Sequence, residues 1–305
     1  MKVDWAGVFP AVTTKFKEDE SLDHAEMEKH FDFQIKAGVH GLVVTGSLGE
    51  NSTLTAEEKQ AVLKTAVAVS SGRVPVLACI AETTTVEACR CAESGAKNGA
   101  DGFMLLPPMR YVSDARETMQ YLRDVALVAE RPIMIYNNPV AYGVDVTPEM
   151  FAELADEPKF AAIKESSDDI RRVTDIINFV GDRYQLFVGV DNLALESLVL
   201  GADGWLAGLV CAFPKETVAI YYLVKAGRID EAVKIYRWFK PVLDLDVSTK
   251  LVQNIKLAEA MAGVGNENVR KPRLPLAGEE RKRVMQIISK ALETQLELPA
   301  VTKRK

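Results

Sequence analysis

The chain has 305 residues and a formal net charge of −6, with acidic and basic residues interspersed along its length. This balance gives little support for a nucleic-acid or anionic-membrane partner, so a small-molecule substrate is the better expectation. No apolar run approaches the roughly 18 to 20 residues that a membrane-spanning helix needs, and the amino terminus lacks the apolar core of a signal peptide. We therefore expect a cytoplasmic protein without a membrane partner.

The first part of the chain has the pattern of strands and helices in alternation. From residue 8 to about residue 208, short apolar runs alternate with amphipathic stretches, which is typical of parallel strands joined by crossover helices. The predicted strands lie at residues 7–13, 41–44, 74–80, 102–106, 132–137, 160–165, 185–190 and 204–208. Eight such units predict a closed (β/α)8 barrel. An open doubly wound sheet is the alternative, but no GxGxxG motif follows the first strand.

Capping residues predict where the helices begin. Thr55 with Glu58 three residues on, and Thr147 before Pro148, are typical helix starts, and the others predicted are Asp23, Thr84 and Ser113. After residue 214 the pattern turns wholly helical, with candidate helices at residues 214–226, 229–245, 247–262 and 278–294. We divide the chain into a barrel at residues 1–227 and a C-terminal helical extension at residues 228–305.

The cysteines and histidines argue against a metal centre. The four cysteines have no CxxC spacing and there are only three histidines, so a Cys/His site is not expected. The predicted strand ends also lack a cluster of His, Glu and Asp, which argues against metal-dependent aldolase chemistry. The cysteines are read as reduced, mostly buried thiols, at Cys79, Cys89, Cys91 and Cys211.

Two residues at predicted strand ends could perform chemistry, because the active site of such a barrel lies at the carboxyl ends of its strands. Lys164 closes a short apolar run, where burial would favour the neutral amine that attacks a carbonyl. Taken alone, a strand-end lysine more often faces water. Tyr136 ends the fifth strand and can relay protons, although a tyrosine there is more often a packing residue.

Polar loops follow several other strands. The segment at residues 45–50 can present backbone N–H groups and the Ser47 hydroxyl to a carboxylate, with an ordinary glycine turn as the alternative. Arg110 can grip a second carboxylate, with a surface ion pair as the alternative. Gly189 and Gly208 permit close backbone approach or serve packing.

These elements, in this order, resemble the dihydrodipicolinate synthase and N-acetylneuraminate lyase family of class I aldolases. The resemblance covers nearly the whole chain. It rests on Gly46-Ser47-Leu48-Gly49-Glu50 for the family's GxxGE loop, Tyr136-Asn137-Asn138-Pro139 for YNxP, Lys164-Glu165-Ser166 for K-[DEQ]-[ST], and the closing Arg270-Lys271-Pro272-Arg273-Leu274-Pro275. It implies a (β/α)8 TIM barrel with a C-terminal helical extension, usually a homotetramer built as a pair of dimers.

The resemblance also implies the chemistry. Lys164 would form a Schiff base with pyruvate or another 2-keto acid without a cofactor, while the loop holds the keto-acid carboxylate and Tyr136 transfers protons. A protonated imine at C2 withdraws electrons from C3, so aldol cleavage, condensation, dehydration and deamination share one core. The predicted substrate-binding residues are Ser47, Leu48, Gly49, Arg110, Asn138, Gly189 and Leu206.

Departures from the synthase pattern favour a different substrate. The synthases generally have an arginine two residues beyond the YNxP proline, where this chain has Ala141. Leu48 replaces the second hydroxyl of the GxxGE loop, and residues 108–110 stand where the synthases have PYY. The usual relay therefore loses one phenol unless Tyr111 or Tyr142 replaces it.

The leading hypothesis is a Schiff-base lyase that acts on a 2-keto acid or on a cyclic imino acid derived from one. Arg110 or the pair at residues 137–138 would read the distal polar group of that substrate. A true 4-hydroxy-tetrahydrodipicolinate synthase, which condenses pyruvate with aspartate semialdehyde, is the alternative if Arg110 takes over the anchoring. A non-catalytic barrel that binds a keto acid is the alternative from another class, and the presence of both Lys164 and Tyr136 argues against it.

Overall fold

The structure, a computed structural model, describes residues 3–108 and 111–300. Its centre is a parallel sheet of eight strands in which each strand pairs with its neighbours in the order β1-β8-β7-β6-β5-β4-β3-β2. A parallel bridge between Ala11 and Val43 joins the two ends, so the predicted (β/α)8 barrel is confirmed. The strands are β1 (Gly7–Pro10), β2 (Leu42–Val44), β3 (Val76–Ile80), β4 (Gly102–Leu105), β5 (Ile133–Asn137), β6 (Phe160–Glu165), β7 (Gln185–Val188) and β8 (Gly204–Ala207).

Helices follow the strands and cover the outside of the barrel. Those up to α9 belong to the barrel, and α10, α11 and α12 form the C-terminal extension. The helices are α1 (His24–Lys36), α2 (Ala56–Ser70), α3 (Thr85–Lys97), α4 (Ala115–Val128), α5 (Pro139–Tyr142), α6 (Pro148–Glu153), α7 (Arg171–Val180), α8 (Ala194–Val199), α9 (Pro214–Lys225), α10 (Ile229–Leu243), α11 (Leu251–Met261) and α12 (Gly278–Glu293). No helix in the described ranges has the length and apolar character needed to cross a membrane.

The strands are buried on both faces. Every strand position is buried except Gln185, at the start of β7. This burial follows from the architecture, because one face of each strand fills the barrel interior and the other packs against helices. The nearly continuous apolar runs that indicated the strands are therefore a direct consequence of the barrel.

The predicted helix starts are confirmed at Asp23, Thr55, Thr84 and Thr147. The prediction at Ser113 is wrong, because Asp114 caps α4. The Asp114 carboxylate accepts from the Glu117 backbone N–H at 2.8 Å, and Glu117 completes a capping box. The Ser113 hydroxyl instead bonds the Thr118 hydroxyl at 2.7 Å. A carboxylate with a glutamate three residues on offered the stronger cap.

The turn between α10 and α11 is longer than the sequence predicted. The helix expected at residues 247–262 begins only at Leu251, since residues 244–250 form turns. Within them the Ser248 hydroxyl accepts from the Lys250 backbone N–H at 3.1 Å, a local bond that competes with helix formation. This turn brings Asp246 towards the residues that follow β7 and β8.

Buried ion pairs connect the extension to the barrel. Lys256 of α11 contacts Glu50 with an N–O distance of 2.6 Å, and Glu259 of α11 contacts Lys15 at 2.5 Å. All four side chains are fully buried. The division at residues 227 and 228 falls between α9 and α10 and stays a sequence prediction.

Candidate active site

Lys164 lies at the carboxyl end of β6, beside Tyr136 on β5, and the two residues are direct partners in the sheet. Only 6% of Lys164 is exposed. Its Nζ lies 4.0 Å from the centroid of the Tyr136 ring. Among the described residues the amine makes no hydrogen bond or ion pair. The amine is therefore enclosed, without a carboxylate at ion-pair distance among the described residues, and placed on an aromatic face.

Burial lowers the pKa of Lys164 below its ordinary value, because the charged ammonium loses hydration. Tyr142 and then Asp246 act in the opposite direction only in their ionised forms, and they do not cancel the effect. A larger share of the amine is consequently neutral near neutral pH. The neutral amine is the form that attacks a carbonyl.

Tyr136 is held as a protonated phenol. Burial raises its pKa to about 12, and a hydrogen bond that Asn138 Nδ2 donates to its hydroxyl at 3.0 Å opposes part of the rise. Asn138 Oδ1 in turn accepts from the Ala141 backbone N–H at 2.9 Å and caps α5. Asn138 thus orients the tyrosine, and its predicted contact with substrate stays a prediction.

Of the two tyrosines considered for the relay, Tyr142 is the one that contacts Ser47 and Tyr136. Its hydroxyl is hydrogen-bonded to the Ser47 hydroxyl, and its ring packs edge-on against Tyr136 with 5.9 Å between centroids. Tyr111, the other replacement considered, is 56% exposed, and partial desolvation and then the charge of Glu117 raise its pKa. The structure therefore groups Tyr136, Ser47 and Tyr142, all from one chain.

The loop after β2 is shaped to receive an anion. No acceptor within residues 3–108 and 111–300 takes a hydrogen bond from the backbone N–H groups of Ser47, Leu48 and Gly49. The loop is held in place by Thr14, whose hydroxyl donates to the Gly49 carbonyl at 2.6 Å. The Leu48 side chain is buried in the hydrophobic core. Free N–H groups on a rigid loop form a cradle for a carboxylate.

Gly189 follows β7 and leaves room for the lysine. A Cβ there would lie 2.1 Å from Ser166 Oγ and 2.4 Å from Lys164 Cε, so any side chain would displace Lys164. Leu206 of β8 is fully buried in the barrel core. Substrate contacts of Gly189 and Leu206 stay predictions.

Arg110 and Asn137 were both predicted to read the distal polar group of the substrate. Arg110 lies outside the residues that the structure describes. Asn137 is fully buried, and its amide donates to Glu165 and Asp145 at 3.0 Å each while its oxygen accepts from a backbone N–H. The idea that Asn137 reads the substrate is therefore wrong, because its polar atoms are all committed inside the protein.

Sequence reasoning missed two carboxyl groups near the lysine. Asp191, just after β7, accepts from Trp205 Nε1 at 2.9 Å and from the Leu209 backbone N–H at 2.7 Å. Asp246 lies beside it, with its Oδ2 3.4 Å from the Asp191 backbone nitrogen. Position after a strand could have singled out Asp191. Asp246 had no local signal, because an acid between two helices is ordinary.

One buried group of potential metal ligands lies elsewhere. His30, Cys211 and Glu259 bring ligand atoms within 4.8 Å of one another. The Lys15 ammonium, 2.5 Å from a Glu259 oxygen, occupies the place of a cation there. Burial lowers the His30 pKa to about 4, which keeps the ring neutral. This cluster is an ion-paired support, and the expectation that no metal is needed stays a prediction.

Comparison with known proteins identifies the family. Residues 4–291 match the model of the dihydrodipicolinate synthetase family. A 4-hydroxy-tetrahydrodipicolinate synthase of Methanothrix thermoacetophila is 32% identical, over 93% of this chain and 96% of that protein. An uncharacterized DapA-like lyase of Rhizobium meliloti is 31% identical, over 90% of this chain and 92% of that protein.

A solved structure gives the same result. YagE, a prophage protein of the dihydrodipicolinic acid synthase family from E. coli K12 in complex with pyruvate, superposes with a TM-score of 0.89 at 28% identity. The superposition covers 95% of this chain and 99% of that one. Fold, motifs and relatives agree over nearly the full length, so this chain belongs to the dihydrodipicolinate synthetase family and is a lyase of that family.

Proposed function

We propose that this lyase forms an imine between Lys164 and the C2 carbonyl of pyruvate or another 2-keto acid. The observation that carries the proposal is the state of the Lys164 amine, which is buried, unpaired among the described residues and lowered in pKa. The complex of YagE with pyruvate supports the choice of ligand. The free N–H groups of Ser47, Leu48 and Gly49 would bind the C1 carboxylate.

The proposed proton transfers use Tyr136. The neutral Lys164 amine attacks C2, and the oxygen leaves as water after it takes one proton from the attacking nitrogen and one from Tyr136, which is protonated because its pKa is about 12. The resulting phenolate is well placed to take a proton from C3, because the iminium withdraws electrons from that carbon. Ser47 and Tyr142 are hydrogen-bonded to each other and would extend the proton path from Tyr136 towards the substrate atoms beyond C3.

For the second part of the substrate we infer cleavage, dehydration or deamination of a longer 2-keto acid or of a cyclic imino acid. Ala141 supplies no guanidinium for the second carboxylate of aspartate semialdehyde. Dihydrodipicolinate synthesis remains the second candidate, because several relatives carry that name. Robust condensation of pyruvate with aspartate semialdehyde would show that the reading of Ala141 is wrong.

A panel of 2-keto acids and cyclic imino acids tests the function itself. Wild-type protein should turn over at least one compound by carbon–carbon cleavage, loss of water or loss of ammonia, and Lys164→Ala should turn over none. Turnover that persists in Lys164→Ala at the wild-type rate would sink the proposal. The same assay in chelator tests the proposal that no metal or other cofactor takes part, since activity should be unchanged.

The cellular and quaternary setting is also proposed. We infer a cytoplasmic homotetramer, built as a pair of dimers, that binds no nucleic acid. The family resemblance supports this assembly, and exposed apolar residues such as Phe179 and Leu200 line a groove on the outer surface. Light scattering tests it, with a mass four times that of the 33.5 kDa chain as the expected result.

A further inference from the structure

Asp246 belongs to the turn between α10 and α11, yet it reaches the strand ends that surround Lys164. Its Oδ2 lies 3.4 Å from the Asp191 backbone nitrogen, beyond β7. A Cβ on Gly208, beyond β8, would lie 2.6 Å from its Oδ1, so Gly208 makes room for this carboxyl. The C-terminal extension thus contributes a titratable side chain to the barrel mouth.

The neighbouring Asp191 is fully committed to holding the fold. Its two oxygens accept from Trp205 Nε1 and from the backbone N–H groups of Gly208 and Leu209, at 2.7 to 3.1 Å. These donors require acceptor oxygens, so Asp191 is the member of the pair that keeps the negative charge. Burial and then the adjacent Asp191 raise the pKa of Asp246 well above its usual range, so Asp246 is the acid of this pair that more readily holds a proton.

The other oxygen of Asp246 is free. Among the described residues, the only hydrogen bond to Asp246 goes to Oδ2, and Oδ1 has no partner. The side chain is half-buried and interacts electrostatically with both Lys164 and Tyr136. Asp246 therefore lies at the ends of β7 and β8, within electrostatic range of the lysine that would carry the ligand.

We propose that Asp246 is a specificity-determining residue, which hydrogen-bonds to a distal hydroxyl or amino group of the Lys164-bound keto acid and selects against a second carboxylate. The inference rests on the proposed function and deepens it by naming the substrate class. A protonated carboxyl donates to a hydroxyl oxygen and accepts from its proton. A second carboxylate would meet the charge of Asp191, and no cation in the described ranges lies within ion-pair distance of either acid.

Three keto acids of graded polarity test this selection. Borohydride trapping is measured against concentration in separate reactions for 2-oxobutanoate, 4-hydroxy-2-oxobutanoate and 2-oxoglutarate, with pyruvate trapped in a parallel reaction as the standard. Adducts are identified by mass, and both the intact adduct and the pyruvate adduct left by cleavage count as capture of the hydroxylated acid. Wild type should capture the hydroxylated acid at roughly tenfold lower concentration than 2-oxobutanoate, the value of one hydrogen bond, and 2-oxoglutarate least readily. Asp246→Ala should abolish the preference for the hydroxyl, measured as the ratio of the trapping concentrations for 4-hydroxy-2-oxobutanoate and 2-oxobutanoate within each variant.

Asp244→Ala is the matched control, because Asp244 lies on the same turn but pairs with Lys240 on the surface. It should keep the wild-type preference. A preference that survives in Asp246→Ala, or tighter capture of 2-oxoglutarate than of 2-oxobutanoate by wild type, would overturn the role of Asp246. Absence of pyruvate trapping on wild-type Lys164 would instead overturn the proposed function, so the two failures are distinguishable.

Discussion

Two regions of this molecule bury lysines, and they treat the charge in opposite ways. Lys15 and Lys256, where the extension meets the barrel, are fully buried and contact Glu259 and Glu50 at 2.5 and 2.6 Å. Lys164, at the barrel mouth, is nearly as buried but makes no ion pair among the described residues. Burial is common to both regions, so burial alone does not distinguish a reactive lysine from a structural one.

The difference lies in what surrounds each amine. Lys256 is bonded to Glu50 and to the Asn268 carbonyl, so its nitrogen has no room for a carbonyl carbon. Lys164 Nζ has no such bond within the described part of the chain and lies 4.0 Å from the centroid of the Tyr136 ring. A buried amine without an ion-pair partner destabilises the fold and is more nucleophilic. A buried amine that is paired with a carboxylate destabilises the fold less and is less nucleophilic. Four substitutions or measurements test this contrast.

The largest effect is expected for Lys164→Met. Turnover should fall by at least roughly 1,000-fold, because the nucleophile is lost. Stability should stay the same or rise, because an unpaired, desolvated amine is replaced by an apolar side chain of similar length. Kinetics and urea denaturation on the same preparation measure both. A marked loss of stability would show that Lys164 has a structural partner.

Lys256→Met should give the opposite pattern. Removing this ammonium leaves the buried Glu50 without its closest cation, so the free energy of unfolding should fall by about 3–5 kcal/mol. Urea denaturation measures the change. Pyruvate trapping per folded molecule should remain close to wild type, and a loss of trapping in folded protein would contradict the separation of the two regions.

Tyr136→Phe should slow every step that uses the phenol proton. The ring that covers the amine is kept and the hydroxyl is lost, so kcat should fall roughly 100-fold or more, and pyruvate should be trapped more slowly but to the same final yield. Steady-state kinetics and trapping yield are compared. Tyr142→Phe serves as the reference, because Tyr142 contacts Ser47 and lies farther along the path, and its loss of rate should be smaller.

The smallest effect concerns pH. Because burial lowers the pKa of Lys164, its neutral fraction at pH 8 exceeds that of an ordinary lysine. The rate of trapping should therefore rise with pH and level off below the ordinary lysine pKa of roughly 10.4. Lys225, also lowered in pKa by burial but bonded to a backbone carbonyl, is the reference, and it should remain unlabelled. A midpoint at the ordinary value would contradict the desolvation argument.

The barrel strands and the two proposed catalytic residues could be predicted because the sequence patterns that indicate them are local. Apolar runs buried on both faces indicated the strands, and the position of Lys164 and Tyr136 after two of them indicated the site. The helix start at Ser113 failed by one residue, since two adjacent residues both had capping side chains and Asp114 bonded better.

The rest depends on contacts between distant segments. Whether Tyr111 or Tyr142 joins Ser47 is decided by how residues 138–143 fold back over the barrel, which no local pattern shows. Asp246 reaches the site only because the turn after α10 lies against the ends of β7 and β8. The pairing of Lys256 with Glu50 likewise joins the extension to a loop early in the chain.

Lys164, rather than any ion-paired lysine, should be the residue that carries the substrate. The most direct test treats wild type with pyruvate and borohydride and locates the adduct by peptide mass spectrometry, with Lys164→Met in parallel. The predicted result is one reduced pyruvate per chain, on the peptide that contains Lys164, and none in the variant. An adduct on Lys15, Lys256 or a surface lysine, or equal trapping in the variant, would contradict the account.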